Sequence, residues 1–311
     1  MSRRMMVLSI ATLAVSLVLA ACGDEASSGA DETPPASADL TTEPTAAASN
    51  PSPAPAPAMT PPPAAPPSDT IPNSSYEPAT DMGMADRAFG LMLPDVVTPD
   101  GLVRYDRLAF DLNSSRLGLA IKKYGEADLP EVRQAQIAYY CNVYNANLLL
   151  HALMEQHRSD FTTLLAIEGL FDKRPVRVAG EPMPFNLLEN DRIRPLGDPR
   201  IHAALVCGAM SCPPLRREVY RPDILDEQLD DQCRRWINDP TRNRVENGVL
   251  KLSEIFNWYG GDFDAVPYGG VVGFVRHFAA PGSELASFLK AHPNPAIEWL
   301  PYDWSLNRAV P

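Results

Sequence analysis

Apolar and polar positions fall into clear helical and strand periods only from about residue 79 onward. Ile137, Cys141, Tyr144, Leu148 and Ala152 recur at three- and four-residue spacing. That spacing predicts an amphipathic helix opened by Leu129-Pro130, with Pro130 in its first position, and ending near His157. Leu225, Leu229, Cys233 and Trp236 predict a second helix over Asp223 to Asn238, with Asp223 as its N-cap. Shorter helices are expected at Asp86 to Met92, closed by Pro94, and from Val103 to about Lys123 with a break. One or two helical turns are expected at Asn186 to Arg192, and further helices at Ser253 to Trp258, Val271 to Phe278 and Glu284 to Ala291. Alternation with period two is confined to two hairpins and a late strand. The hairpins are Pro175 to Val178 returning through Ala179-Gly180 to Met183, and Asn243 to Val245 returning through Glu246-Asn247-Gly248 to Leu252. The late strand is Ile297 to Leu300. Ile201 to Cys207 is apolar without a decisive period. With no repeat and no regular strand–helix alternation, the fold class read from the pattern is helix-rich α+β with small antiparallel hairpins, a single globular domain over residues 79–311.

The segment before that domain has a different character. Arg3 and Arg4 precede an apolar run from Met5 to Ala20, too short for a comfortable membrane span, and Leu19-Ala20-Ala21-Cys22 reads as a lipobox. Residues 1–21 are therefore expected to be a lipoprotein signal peptide and Cys22 the acylated N-terminus of the mature chain. Acyl chains contribute on the order of 0.8 kcal/mol per buried methylene, so several anchor stably. Gly23 follows the cysteine, which by resemblance to enteric bacterial lipoproteins favours the outer membrane, facing the periplasm. Residues 22–78 hold 14 of the 32 prolines, eight acids and no Lys or Arg, and read as a disordered tether biased toward polyproline II.

Charge changes the picture little. The net formal charge is −12, and the folded part carries 25 Lys and Arg against 31 Asp and Glu. No basic patch suited to nucleic acid is visible, so no nucleic-acid partner is expected. The histidines show no metal-ligand spacing and the cysteines no paired C-x-x-C, which gives no support to a metal site. There is no P-loop, dinucleotide fingerprint or G-x-S-x-G elbow, and no cofactor is expected.

The densest chemistry lies in Asp198 to Leu215, where His202, Cys207, Ser211 and Cys212 fall within eleven residues. A cysteine nucleophile needs a partner that favours the thiolate, usually histidine. His202 and Cys207 would sit about 140° apart on a helix and on opposite faces of a strand, so a dyad requires a bend between them. The alternative is a Cys207–Cys212 disulfide, or buried thiols, with a hydrogen-bonded core histidine. Asn142 and Asn145 lie one turn apart on the long helix, placed either to bind a ligand or to satisfy a neighbouring loop's backbone. Glu189 follows Leu187-Leu188 and is a candidate to orient His202.

Six stretches carry a family resemblance. They are Val103 to Leu108, Tyr140 to Ala146, Asp198 to Leu215, Trp236 to Pro240, and Leu252 to Tyr259 with the terminal Asp303 to Asn307. Together they resemble the family catalogued as domain of unknown function 547, over about residues 101 to 307. His202, Cys207, Ser211, Cys212, Asn142 and Asn145 match its pattern. Tyr140-Cys141 stands where the family has Trp and an aliphatic residue, and Glu189-Asn190 where it tends to have Glu-His. The resemblance implies no assigned reaction; bacterial members are often secreted or lipid-anchored. A helix-rich α+β fold with such a cluster resembles the papain and transglutaminase type of thiol enzyme, an analogy of fold only.

Three functions compete on these residues. The first is a thiol-dependent hydrolase or acyl-transfer enzyme of the envelope. Cys207 is its nucleophile, His202 its base, Glu189 the orienting acid and Asn142 an oxyanion donor, with Tyr144, Asn145, Ser211 and Cys212 binding the substrate. The second is a non-catalytic envelope module that binds a peptide, glycan or partner. The third is a thiol–disulfide relay through Cys207 and Cys212, whose four-residue spacer differs from the thioredoxin spacing.

Overall fold

The computed structural model describes residues 80–158 and 160–310. The expected signal peptide, the lipidation site Cys22 and the tether 22–78 lie outside the described residues. Within them no helix is long and apolar enough to cross a membrane. The helix-rich α+β class holds.

Three helices pack side by side at the N-terminal end: α1 (Asp81–Val96), α3 (Asp111–Glu126), reached through the short α2 (Tyr105–Leu108), and α4 (Arg133–Glu155). Thr80 caps α1, its hydroxyl accepting from the Gly83 amide at 3.1 Å. Pro94 does not close that helix. It lies in the last turn, and the Val97 amide still reaches the Leu93 carbonyl at 2.8 Å. Helix α4 begins three residues later than Leu129-Pro130 implied, because Val132 is extended. Pro130 then serves the helix from outside, its carbonyl accepting from the Gln136 side chain at 2.8 Å. The buried face of α4 continues around most of its circumference from Ile137 to Leu150, so the helix forms the axis of the larger core.

The first hairpin, β1 (Pro175–Val178) with β2 (Glu181–Pro184), forms as expected; it pairs Val176 with Met183 and has Ala179 and Gly180 at positive φ. It leads into continuous helical turns over Phe185–Leu187, Leu188–Ile193 and Arg194–Leu196, the middle stretch wound as a π-helix. Such widened turns shift side chains off the regular register and recur at functional sites. The ambiguous stretch resolves into a single helical turn, α5 (Ile201–Ala204), followed by extended backbone at Leu205.

Helix α6 (Leu225–Ile237) buries the predicted face around Leu229, Cys233 and Trp236. Asp223 is not its cap; a 3-10 turn precedes the helix, and that carboxylate pairs with Arg221 at 2.5 Å. Strands β3 (Arg244–Glu246) and β4 (Val249–Ser253) form the second hairpin. The late strand β5 (Ile297–Leu300) joins β4 in parallel, with Leu250 opposite Ile297 and Ser253 opposite Leu300. Helices α7 (Glu254–Trp258), α8 (Val271–Phe278) and α9 (Glu284–Ala291) complete a second, smaller core around Trp236, Phe256, Phe263 and Phe274.

The parallel pair decides where the site lies. Parallel strands leave the sheet at the same end. β4 therefore delivers Trp258 and Tyr259, through α7, to the place where β5 delivers Tyr302 and Trp304. Tyr302 packs against both cores.

Candidate functional site

The two asparagines of α4 act as backbone clamps. Asn142 donates from Nδ2 to the Tyr220 carbonyl and accepts the Tyr220 amide on Oδ1, both at 2.9 Å. Asn145 donates to the Ala204 carbonyl at 2.9 Å and accepts the Val206 amide at 3.0 Å. Both are nearly inaccessible, at 2% and 3% exposure. Together they hold the two ends of the segment from Ala204 to Tyr220 onto one helix. That is the backbone-satisfying use of buried asparagine, and it leaves Asn142 no free donor for an oxyanion. Its Nδ2 also lies 3.2 Å from Asp86, a carboxyl that further accepts the Tyr124 hydroxyl at 2.5 Å. Burial pushes Asp86 up to about 7 despite those two bonds. Nothing in the local sequence around Asp86 marks it out.

The clamped segment carries the cysteines. Cys207 and Cys212 are joined as a disulfide, while Cys141 and Cys233 are free and buried. Burial raises the Cys141 and Cys233 thiols far above their usual range, which makes them inert packing groups. The loop between the bonded cysteines turns at Gly208, at φ +79°, where a Cβ would collide with Leu164. The C-terminal strap fixes it from outside. The Asn307 amide donates to the Gly208 carbonyl, Met210 to Ser305, and Asp303 to the Ser211 hydroxyl, at 2.8–2.9 Å. Arg242 grips the carbonyls of Met210 and Cys212 at 2.9 and 2.6 Å. Ser211, a predicted binding residue, thus spends its oxygen on the strap. Behind the loop, a void lined by Tyr105, Asn145, Val206 and Asn307 has room for about one water molecule.

His202 does not meet Cys207. Its Nε2 lies 2.8 Å from Asp262, and the Cys207 sulfur contacts the Tyr302 hydroxyl at 3.2 Å, as does the Cys212 sulfur. Glu189 is not the acid that orients His202; Asp262 is. The physical reason is the chain path: the 3-10 turn Gly260–Asp264 carries Asp262 to the histidine, and Arg194 holds that carboxylate from the other direction at 2.7 and 2.8 Å. Burial would raise the Asp262 pKa, but its bonds to His202 and Arg194 outweigh that and hold it well below the usual carboxylate range. An acid so ionised is acceptor-only, so His202 carries its proton on Nε2.

Glu189 nevertheless belongs to the same site. Its carboxylate accepts the hydroxyls of Tyr144 and Tyr259. Burial, then the Glu189 charge, raises the pKa of both phenols, which therefore stay protonated donors. Tyr259 stacks on His202, ring centroids 4.4 Å apart, and the Arg194 guanidinium carbon lies 5.0 Å from the Tyr259 ring centroid. Asn190, where the resemblance leads one to expect histidine, accepts from Arg194 at 2.7 Å. Beyond Tyr259 the half-buried rings of Trp258, Tyr302 and Trp304 continue the wall. Trp258 and Trp304 are 5.8 Å apart and inclined by only 18°.

The structure therefore brings together Glu189, Tyr144, His202, Cys207 and Cys212, and separates Asn142, Asn145 and Ser211 from them as backbone supports. Residue-level reading missed Asp262, Arg194, Tyr259, Tyr302 and the tryptophan pair. The one signal present was the pair of aromatic-rich stretches, Phe256 to Tyr259 and Tyr302 to Trp304. Among the described residues no group of His, Cys, Asp and Glu is arranged to hold a metal ion.

Residues 129–237 match the model of the family described as protein of unknown function, DUF547. The likeness to DUF547 is shown over that segment. Neither the curated proteins nor the solved structures yield a match. The DUF547 segment contains the asparagine clamps, Glu189, Arg194, His202 and the disulfide. It ends before Tyr259, Asp262 and Tyr302, so the acid of His202 and most of the aromatic wall come from sequence beyond it.

Proposed function

We propose that the protein is a lipoprotein of the cell envelope, anchored through Cys22 and spaced from the membrane by residues 22–78, and that its DUF547 domain is a non-catalytic receptor for an envelope glycan or peptide. The observation that carries the receptor reading is the contrast in commitments inside the site. The nucleophile candidate Cys207 is bonded to Cys212 and its sulfur meets the Tyr302 hydroxyl rather than His202, whereas Glu189 and the tryptophan rings keep capacity for a ligand. Convergent polar groups beside an aromatic wall are the usual furniture of a small-ligand site.

One observation favours a second reading. Cys207 is half-buried and touches the Tyr302 hydroxyl, so a dithiol reductant would release a thiol within the site, as a thiol-dependent hydrolase or acyl-transfer enzyme requires. The two readings separate when cell-wall glycan and peptide fragments are mixed with the full chain, with and without reductant. Saturable binding with no new product is the receptor result. A product that forms only after reduction and disappears in Cys207→Ser replaces it with the enzyme. The anchor is tested separately: Cys22→Ala is expected to leave the membrane fraction and lose its acyl label, and unchanged partition would remove the lipoprotein half of the proposal.

A further inference from the structure

We infer that the ligand of this site is a glycan bearing an unacetylated amino group, with its ammonium seated on Glu189 and a sugar face lying on Trp258 and Trp304. The inference rests on the receptor reading and narrows its ligand class.

Glu189 is the site's uncompensated charge. A carboxylate offers about four lone-pair directions, and the phenols of Tyr144 and Tyr259 take two of them. Arg194 feels the Glu189 charge, yet its guanidinium is committed to Asp262 through two nitrogens and to Asn190 through the third. Arg194 thereby balances Asp262, and the negative charge left over is that of Glu189. An anionic ligand is repelled there. A neutral hydroxyl or acetamide gains a hydrogen bond without the charge, whereas an ammonium gains both.

The surrounding rings select in the same direction. Aromatic faces are electron-rich and attract cations. Tyr302, Trp258 and Trp304 present such faces within 4.6–5.8 Å of one another, all half-buried. Trp258 and Trp304 stack on one another, inclined by only 18°, and the outward ring face of the pair suits the flat C–H face of a pyranose.

The test is tryptophan emission of the full chain titrated with a chitosan trimer, which carries free amines, with the fully acetylated chitin trimer, and with trilysine. Trp236 and Trp299 also emit, so Trp304→Phe assigns the signal to the stacked pair. The expected result is a saturable change with the chitosan trimer, weakened about tenfold or more in Glu189→Gln and by the chitin trimer. Glutamine keeps an acceptor for both tyrosines, so this variant folds; circular dichroism checks it. Equal binding of the two trimers, unmoved by Glu189→Gln, overturns the ammonium assignment and leaves the receptor reading in place. A response to trilysine alone overturns the glycan. Silence toward all three while cell-wall fragments bind overturns this inference alone, and silence toward the fragments as well overturns both.

Discussion

Two polar clusters meet helix α4, and they spend their hydrogen bonds differently. At Asn142, Asn145 and Asp86, every amide and carboxyl contact runs to backbone or to another buried side chain, and the exposure of all three is 6% or less. At Glu189, His202 and Tyr302, the bonds run between side chains from distant segments, and Glu189, Tyr259 and Tyr302 stay half-buried. The first arrangement can only support; the second can still take a partner. Residue type does not distinguish them, since asparagine, tyrosine and a carboxylate occur in both. The number of bonds left unmade does.

If the clamps are purely structural, Asn142→Ala is the most damaging change. It strands the buried amide and carbonyl of Tyr220, and at roughly 1–3 kcal/mol per orphaned group it should lower unfolding free energy by about 2–6 kcal/mol in urea. A stable Asn142→Ala that loses ligand instead would erase the distinction between the clusters. Asp86 provides the next largest effect. Its folded pKa of about 7 lies above the unfolded value of 3.8, so its contribution is fully present below about pH 4 and is lost as pH rises through 7. The span is on the order of 4 kcal/mol at most, from about 1.4 kcal/mol per pKa unit. Asp86→Asn should flatten the stability curve across that window, as followed by thermal unfolding at successive pH values.

The site side predicts smaller effects on folding. Reduction of Cys207–Cys212 opens only a short loop, and the chain-entropy relation assigns it about 2 kcal/mol. Thermal unfolding with and without reductant should show that loss. Iodoacetamide should then label Cys207 while Cys141 and Cys233 stay unmodified until the chain unfolds, read by mass spectrometry. Rapid labelling of Cys233 in the folded protein contradicts its burial. Smallest of all, Glu189→Gln should change stability by under about 1 kcal/mol, since both tyrosines keep an acceptor, while the ligand response falls. A large loss of stability in that variant makes Glu189 a third clamp.

Much of this molecule was legible along the chain. The long helix, the α6 face, both hairpins and the late strand follow from periodicity and turn residues, because those are contests between neighbours. Two helix starts were misjudged where a local signal was outvoted. Pro130 looks like a first helical residue until Val132 proves extended, and Asp223 looks like a cap until Arg221 takes its carboxylate. The site divided in the same way. Glu189, His202 and the cysteine pair stand out by residue type, and the bend predicted as a requirement between His202 and Cys207 exists at Leu205. The partner of His202 did not stand out, because Asp262 lies 60 residues away and has no local peculiarity.

By itself, the sequence determined the class of the fold, the family resemblance, the expected address of the chain and the short list of chemically capable residues. Each is set by composition or by spacing within one segment. The tertiary structure alone decided which of those residues face one another. The parallel pairing of β5 with β4 aligns Trp258 with Trp304 and sets Tyr302 against the disulfide. The turn at Gly260–Asp264 gives His202 its acid, and α4 converts two asparagines into clamps. Those are contacts between segments far apart in the chain, and the free energy that selects them comes from closing two cores around Tyr302, a term no local window contains.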